Sequence, residues 1–199
     1  MKRYHMFTLI VLSLLSTIVS LPQPIHAHDA DYDLRPKERT TENMRERKEE
    51  RRAKFQEKIK TISDEKKRGR IEEINTHFDS INKRYTTMLL NVLSKYEAIL
   101  KRIITKTSTL AKDGTNTAPI DADITDAEFA IDEAKNIISK QADTDYTISI
   151  TDEASIKKNI LETRSHLHSD LKIAREAVKH AHDVIKIAAQ TLQDIKNTH

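Results

Sequence analysis

The sequence predicts an all-α protein: an elongated antiparallel helical bundle or hairpin of two long helices and one short helix, with a charged N-terminal helical extension. Two glycines, four prolines and no tryptophan occur in 199 residues, and 33% of the residues are charged, a composition typical of long helices with few turns. Apolar residues recur every three or four positions over residues 71–110 and 156–195, as in amphipathic helices. No cysteine is present, so packing alone must hold the fold.

Residues 1–27 have the pattern of a secretory signal peptide. Lys2 and Arg3 form a basic start, residues 7–21 are apolar, and Ala27 offers a small residue for cleavage. The apolar run of about 15 residues is shorter than the ~20 that a transmembrane helix requires. We therefore expect an exported protein, periplasmic or otherwise extracytoplasmic or secreted, with an uncleaved anchor as the alternative. Residues 28–36 form an acidic leader, expected to be disordered because nothing in it can build a core.

Residues 37–70 are predicted to form a charged helical extension. Residues 35–70 carry fifteen basic and eight acidic side chains, whereas residues 71–199 carry seventeen and twenty. This stretch offers few apolar side chains for packing, namely Met44, Phe55, Ile59 and Ile62. We expect a solvated helix that continues into the next one, with Gly69 as a weak point at the junction.

Residues 71–199 are predicted to form the bundle domain. Its first helix should end near Lys112, because Asp113-Gly114 supplies a stop signal. After a polar loop over residues 115–123, Thr125 and Glu128 match a capping box that opens a short helix. The apolar positions of the first helix are Ile71, Ile74, Phe78, Ile81, Tyr85, Met88, Val92, Tyr96, Ile99, Ile103 and Leu110.

A last long helix completes the predicted domain. Residues 143–150 are expected to form an extended linker that packs apolar side chains against the helix ends. Ser149 or Thr151 is expected to cap the last helix, which runs to about Asn197. Its stripe is Ile156, Ile160, Thr163, Leu167, Leu171, Ala174, Val178, Ala181, Ile185, Ala188, Leu192 and Ile195. The two apolar stripes are of similar length, so we expect the first and last helices to pack against each other through them.

Glutamate and histidine residues of the last helix form a pattern that could hold zinc or copper. Glu162 precedes His166 by four residues, and Glu176 precedes His180 by four, so each pair shares one helix face. Such pairs are common on helix surfaces without metal. We therefore predict no metal and no cofactor, with these four residues as the candidates if a metal binds.

Basic side chains in residues 45–70 could contact an anionic envelope polymer or lipid surface. Acidic residues are interleaved and Phe55 is the single aromatic residue of this stretch, so nucleic acid is not the expected partner. The candidate contacts are Arg51, Arg52, Lys66, Lys67, Arg68 and Arg70.

The order of segments also carries a resemblance. A charged helix is followed by IEEINTHFDSINKRYTTMLLNVLSKYEAILKRIITK, by ITDAEFAIDEAKNII and by DLKIAREAVKHAHDVIKIAAQTL. This pattern resembles uncharacterised exported helical, coiled-coil-like proteins of small-genome candidate-phylum bacteria. The resemblance implies an envelope or secreted helical protein and brings no functional residues. Small helical periplasmic chaperones are similar in size, export and lack of cysteine, but their Leu-Thr-x-x-Gln motifs are missing here.

Two classes of function follow from these patterns. With no cysteine nucleophile and too few glycines for a phosphate-binding loop, the chain is predicted not to be an enzyme. The first hypothesis is an exported scaffold or interaction protein of the cell envelope that acts through coiled-coil packing and self-association. The alternative is a binding module, either a holdase-like periplasmic chaperone or a polyanion binder using residues 45–70. The partner, the oligomeric state and the relative direction of the two long helices are left open.

Overall fold

The computed structural model describes residues 35–197, with side chains from residue 45 onwards. It contains four helices: α1 (Arg35–Ile59), α2 (Glu65–Lys112), α3 (Ala118–Asp143) and α4 (Ile156–Asn197). No strand occurs within these residues, so the all-α prediction is confirmed. The predicted signal peptide and residues 28–34 of the leader lie outside the described residues.

Helix α3 runs antiparallel to both long helices. The side chain of Gln141, near the end of α3, bonds to Asn82 early in α2, whereas Lys135 pairs with Glu97 farther along α2. Towards α4, Asp123 at the start of α3 accepts a hydrogen bond from Thr191 near the end of α4. The bundle therefore has an up-down-up arrangement.

Helices α2 and α4 are parallel, which answers the question of direction. Lys67 pairs with Glu153 just before α4, at 2.5 Å, and farther along the ring centroids of Tyr96 and His182 are 5.7 Å apart. The two pairs have the same sequence separation of 86 residues. The long helices thus lie side by side with one constant register.

The core consists of two clusters stacked along the bundle. The upper cluster lies among α2, α3 and the second half of α4: Leu89, Leu93, Leu100, Ile103, Ile120, Ala127, Ala130, Ile131, Ala134, Ile138, Ala174, Val178, Ala181, Ile185, Ala188 and Leu192. The lower cluster lies where α3 has ended: Phe55, Ile59, Ile62, Ile71, Phe78, Tyr146, Ile148, Ile150, Ile156, Leu167 and Leu171. Residues 144–150 and α1 take the place of α3 in the lower cluster.

The predicted stripe of α4 is confirmed, because every one of its positions is buried or half-buried. The stripe of α2 is only partly right. Beyond Phe78 the buried line passes through Asn82 and Thr86, whereas Met88 and Ile99 are 46% and 42% exposed. The prediction used apolar residues only, so it missed the buried polar positions of α2. In their place it included apolar residues that lie at the side of the buried face.

Helix α1 does not continue into α2, contrary to the sequence prediction. It ends at Ile59, and Asp64 caps the start of α2 by accepting hydrogen bonds from the backbone N–H groups of Lys66 and Lys67, at 2.9 and 3.1 Å. Gly69 therefore lies inside α2 instead of at the junction. Phe55, Ile59 and Ile62 are at most 4% exposed, so α1 folds back and its apolar residues, expected to be solvated, join the core.

The predicted start of α3 is wrong as well. The helix begins at Ala118, with Pro119 in its first turn, where a proline is favourable because its missing N–H would have no helical partner. Thr125 is not the N-cap: it lies inside the helix and its hydroxyl donates to the backbone oxygen of Asp121 at 3.0 Å. The loop shrinks to residues 113–117, and the predicted end of α2 at Lys112 is confirmed.

The segment before α4 is extended, as expected, and buries Tyr146, Ile148 and Ile150. Neither Ser149 nor Thr151 caps the helix, which begins at Ile156. A preceding turn forms first, in which the Asp152 carboxylate accepts from the Ser155 backbone N–H at 2.8 Å; this hydrogen bond lowers the pKa of Asp152.

Among helices within residues 35–197, none has the length and apolar content needed to cross a membrane.

Substitution of the two glycines by alanine should change the stability of the fold in opposite directions. Gly114 has a φ of 83°, which alanine adopts only with strain, so Gly114→Ala should destabilise the fold by about 1 kcal/mol. Gly69 lies in an exposed helical turn with nothing within 4 Å of an added Cβ, so Gly69→Ala should stabilise by about 0.5–1 kcal/mol. Urea denaturation measures both, and a change of the same sign in the two variants would contradict the assigned positions.

Candidate functional site

The α2–α4 pair has one covered side and one open side. The covered side carries α3 and, below it, residues 144–150 and α1. The open side carries an elongated cavity between the lower halves of the two helices, which we call the α2–α4 slot. Its main part has a volume of about 770 Å³ and is lined by Ile74, His77, Phe78, Ile81, Ile160, Leu161, Arg164, Ser165, Leu167, His168 and Leu171.

The floor of the slot is apolar and reaches the core. Phe78 and Leu167 are 5% and 3% exposed although they line the cavity, whereas Leu161 at the rim is 54% exposed. A second cavity of about 470 Å³ adjoins the first and shares Ile74, Ile160 and Leu161 with it. The two cavities adjoin along the helices in one open channel, and each has a volume in the range of small-molecule sites.

The rim of the slot is basic. Arg164 and His168 contribute from α4 and His77 from α2, and the main cavity has no acidic residue in its lining. At the lower end the Lys67–Glu153 ion pair closes the channel. Within the described residues Arg164 makes no ion pair with a carboxylate, so its charge is available to an anion in the slot.

Exposed basic residues continue this rim along both helices. They are separated from His77 or His168 by nearly whole numbers of helical turns, which places them on the same flanks. We call this surface the basic face; its members are Arg70, Arg84, Lys95, Arg102, Lys106, Arg164, Lys172, Arg175, Lys179 and Lys186.

Few acidic residues lie beside the basic face. Glu73 lines a cavity together with Arg70 and His77. Lys179 pairs with Asp183 at 2.8 Å; hydrogen bonds from Lys179 and His182 lower the pKa of Asp183 to about 2. On the covered side, by contrast, α3 contains seven acidic and two basic residues. The upper half of the bundle is therefore electrostatically polarised across its width. In the lower half the covered side carries α1, which has ten basic and six acidic residues.

The predicted polyanion contacts are not gathered on one surface. Arg52 pairs with Asp79 at 2.5 Å on the covered side, and Arg51 lies 3.7 Å from Asp145. The Arg68 guanidinium donates to a backbone oxygen of the turn before α2, at 3.4 Å. The remaining members lie at the start of α2: Lys66 is exposed, Lys67 is in the closing pair, and Arg70 belongs to the basic face.

The predicted metal candidates are exposed on α4. Glu162, His166, Glu176 and His180 all lie at the surface, and Lys158 approaches the Glu162 carboxylate to 3.7 Å. In the described part of the chain, no three histidine or acidic side chains are grouped so that they could hold a metal ion.

A buried polar cluster that the sequence patterns did not reveal lies between the two core clusters. The side-chain amides of Asn82 and Gln141 bond to each other at 2.9 Å, and Asn82 also donates to the Gln141 backbone oxygen at 2.9 Å. Gln141 donates to the Tyr146 hydroxyl, which donates to the Asp170 carboxylate, both at 2.7 Å. Burial, with the adjacent Asp170 carboxylate, raises the pKa of Tyr146 well above its usual value of 10.0.

Asp145 lies beside this cluster and links it to α1. Its side chain is only 7% exposed, and one carboxylate oxygen faces the Arg51 guanidinium. The other oxygen accepts hydrogen bonds from the backbone N–H and hydroxyl of Thr147, at 3.3 and 2.7 Å. The oxygen that faces Arg51 is buried and makes no hydrogen bond to any described residue. The hydrogen bonds of Asn82, Gln141 and Tyr146 all join parts of this chain, which indicates a structural role.

The sequence pattern contained residues of the slot but did not distinguish them from core residues. Ile74 and Ile81 of the stripe predicted for α2 line the cavity. Helical spacing alone does not show which side of α2 is covered by α3, so it did not reveal that these residues face an open side.

Comparison with known proteins found no match: no family model, no curated protein and no solved structure matches this chain.

The Tyr146 hydroxyl should make stability depend on alkaline pH. Because its pKa is raised in the folded state, the folded chain keeps the proton while the unfolded chain loses it above pH 10. This contribution to stability is therefore complete below pH 10 and is lost as the pH rises further.

A comparison with Tyr146→Phe isolates this contribution. At neutral pH the variant should be less stable by about 1–3 kcal/mol, because Asp170 and Gln141 lose a partner. The difference should stay constant up to about pH 10 and shrink as the pH rises further, as followed by urea denaturation. Tyr85→Phe is the control, since its half-buried hydroxyl has no hydrogen bond within the described residues. A pH-independent difference would contradict the assignment.

Proposed function

We propose that this chain is an exported, non-enzymatic interaction protein of the cell envelope that binds an anionic envelope surface through the basic face. The observation that supports this most directly is the polarity of the upper half of the bundle: basic residues line the open side of α2 and α4, and acidic residues are concentrated on α3, on the covered side. The expected export rests on residues 1–27 of the sequence.

The seam that suggested an interaction protein is largely used inside the chain. Most of the apolar stripe of α4 packs inside the chain, against α2, α3 and the other elements of the lower cluster. Ile156, Ile160, Leu167 and Leu171 also line the slot. What is left for binding is the open side, where cationic and apolar groups occur together. Each basic side chain near an anionic lipid surface contributes about 1 kcal/mol, and this contribution falls with salt.

A holdase-like activity is the second candidate, favoured by exposed apolar residues beside the slot. Met88, Ile99 and Leu161 are between 42% and 54% exposed and follow the same open side by helical spacing. Such a chaperone would bind unfolded segments through apolar contact, so its binding would persist at high salt.

Charge reversal on the basic face should abolish vesicle binding. We expect the full chain to cosediment with vesicles that contain anionic phospholipid, and not with neutral phosphatidylcholine vesicles. The triple variant Lys172→Glu, Arg175→Glu and Lys186→Glu should bind at least about 100-fold more weakly, because three attractive charges become repulsive. Raising the salt concentration should progressively weaken the binding of the parent chain to anionic vesicles.

A second triple variant with the same change in net charge serves as the control. Lys83→Glu, Lys112→Glu and Lys140→Glu alter exposed residues away from the basic face, so vesicle binding should change less than about threefold. If both triple variants lose binding equally, net charge and not this face is responsible. If the parent chain binds unfolded polypeptide in high salt but does not bind anionic vesicles, the holdase alternative replaces the proposal.

A further inference from the structure

We propose that the α2–α4 slot binds a single-chain anionic amphiphile, with its unbranched acyl chain in the channel and its anionic head group at Arg164. The inference deepens the proposed function, on which it rests, by naming a ligand for part of the same side of the bundle. Three properties of the slot lead to it: its shape, its lining and the position of its charges.

The shape favours a narrow, flexible chain. The two cavities share three residues and run along the helices, and their floor reaches Phe78 and Leu167, which are almost fully buried. An α-helix with side chains is about 10–12 Å wide and packs on top of helices, so it would cover the rim without reaching this floor. An acyl chain is narrow enough to enter.

The lining favours hydrocarbon. Ile74, Phe78, Ile160, Leu161 and Leu167 form the walls and floor of the main cavity, and the two isoleucines are half-buried although no described element covers them. Removing apolar surface from water on both partners drives such binding, and each buried methylene raises affinity roughly fourfold. Affinity should therefore increase with chain length until the channel is filled.

The charged side chains favour a head group at Arg164. The main cavity has Arg164 and two histidines at its rim and no acidic residue, whereas the lower cavity is lined by Lys67, Arg70 and Lys157 together with Glu153, which pairs with Lys67. Arg164 has no carboxylate partner within the described residues, and its planar guanidinium can bind a carboxylate head group with two parallel hydrogen bonds. The acyl chain would then extend towards Ile71 and Ile156.

Fluorescence titration of the full chain with dansyl-undecanoic acid, in the absence of vesicles, tests the proposal. We expect saturable 1:1 binding with a blue shift of emission. Unlabelled fatty acids of eight, ten and twelve carbons should displace the probe with affinity that rises roughly fourfold per methylene. Arg164→Gln should lower the affinity for the carboxylate probe at least tenfold. It should leave the affinity for an uncharged alcohol analogue unchanged.

Matched tryptophan variants test the location. Ser165→Trp fills the slot from its exposed rim and should reduce probe affinity at least tenfold, whereas Ser169→Trp, one helical turn farther along α4 and outside the lining, should not change it. Circular dichroism confirms that both fold. Ser165→Trp should still bind anionic vesicles, because the basic face is intact. Loss of vesicle binding in the triple charge variant therefore tests the proposed function separately from the ligand of the slot.

Three results would overturn the inference. The first is absence of saturable probe binding by the parent chain while anionic vesicles still bind. The second is equal affinity in Ser165→Trp and Ser169→Trp, which would place the probe elsewhere. The third is a dimer in sedimentation that Ser165→Trp converts to a monomer without probe binding by either form, which would make a second copy of this chain the occupant.

Discussion

The hydrogen-bonded cluster of Asn82, Gln141, Tyr146 and Asp170 is the constraint on which the rest of this structure depends. It joins α2, the end of α3, the extended segment and α4 at one level of the bundle. Buried amide, hydroxyl and carboxylate groups are costly without partners, and a shift of any helix along its neighbours would separate these groups. The cluster therefore fixes the register of the three helices at once, in a seam whose apolar residues alone would tolerate sliding.

The cluster also marks the level at which the bundle changes its third element. Above it α3 covers the long helices; below it the chain is extended, and Ile148 and Ile150 replace the apolar face of a helix. A segment this short supplies little apolar surface, which accounts for the burial of Phe55 and Ile59 of α1 at the same level. Arg52 and Asp79 hold α1 there through an ion pair. The opposite side of α2 and α4 receives no cover within the described residues, and that side contains the slot.

Sequence patterns predicted the elements better than their contacts. The stripe of α4, the end of α2 and the burial of residues 146–150 followed from helical periodicity and stop signals, because these are local properties. The start of α3 was misplaced because Pro119 is compatible with a first helical turn, and Thr125 only resembles a cap. The fold-back of α1 depends on three apolar residues among many charges. The slot and the polar cluster depend on which flank of α2 meets α3, and spacing along one helix does not encode this.

A double-mutant cycle on Asn82→Ala and Gln141→Ala, measured by urea denaturation, tests most directly whether the polar cluster fixes the bundle. Their reciprocal amide contact predicts that the two substitutions are not additive, with a coupling free energy of about 0.5–3 kcal/mol. Each single variant should lose stability because one amide is left buried without its partner. Additive effects within about 0.3 kcal/mol would contradict the account, since the two side chains would then act independently and could not set the register together.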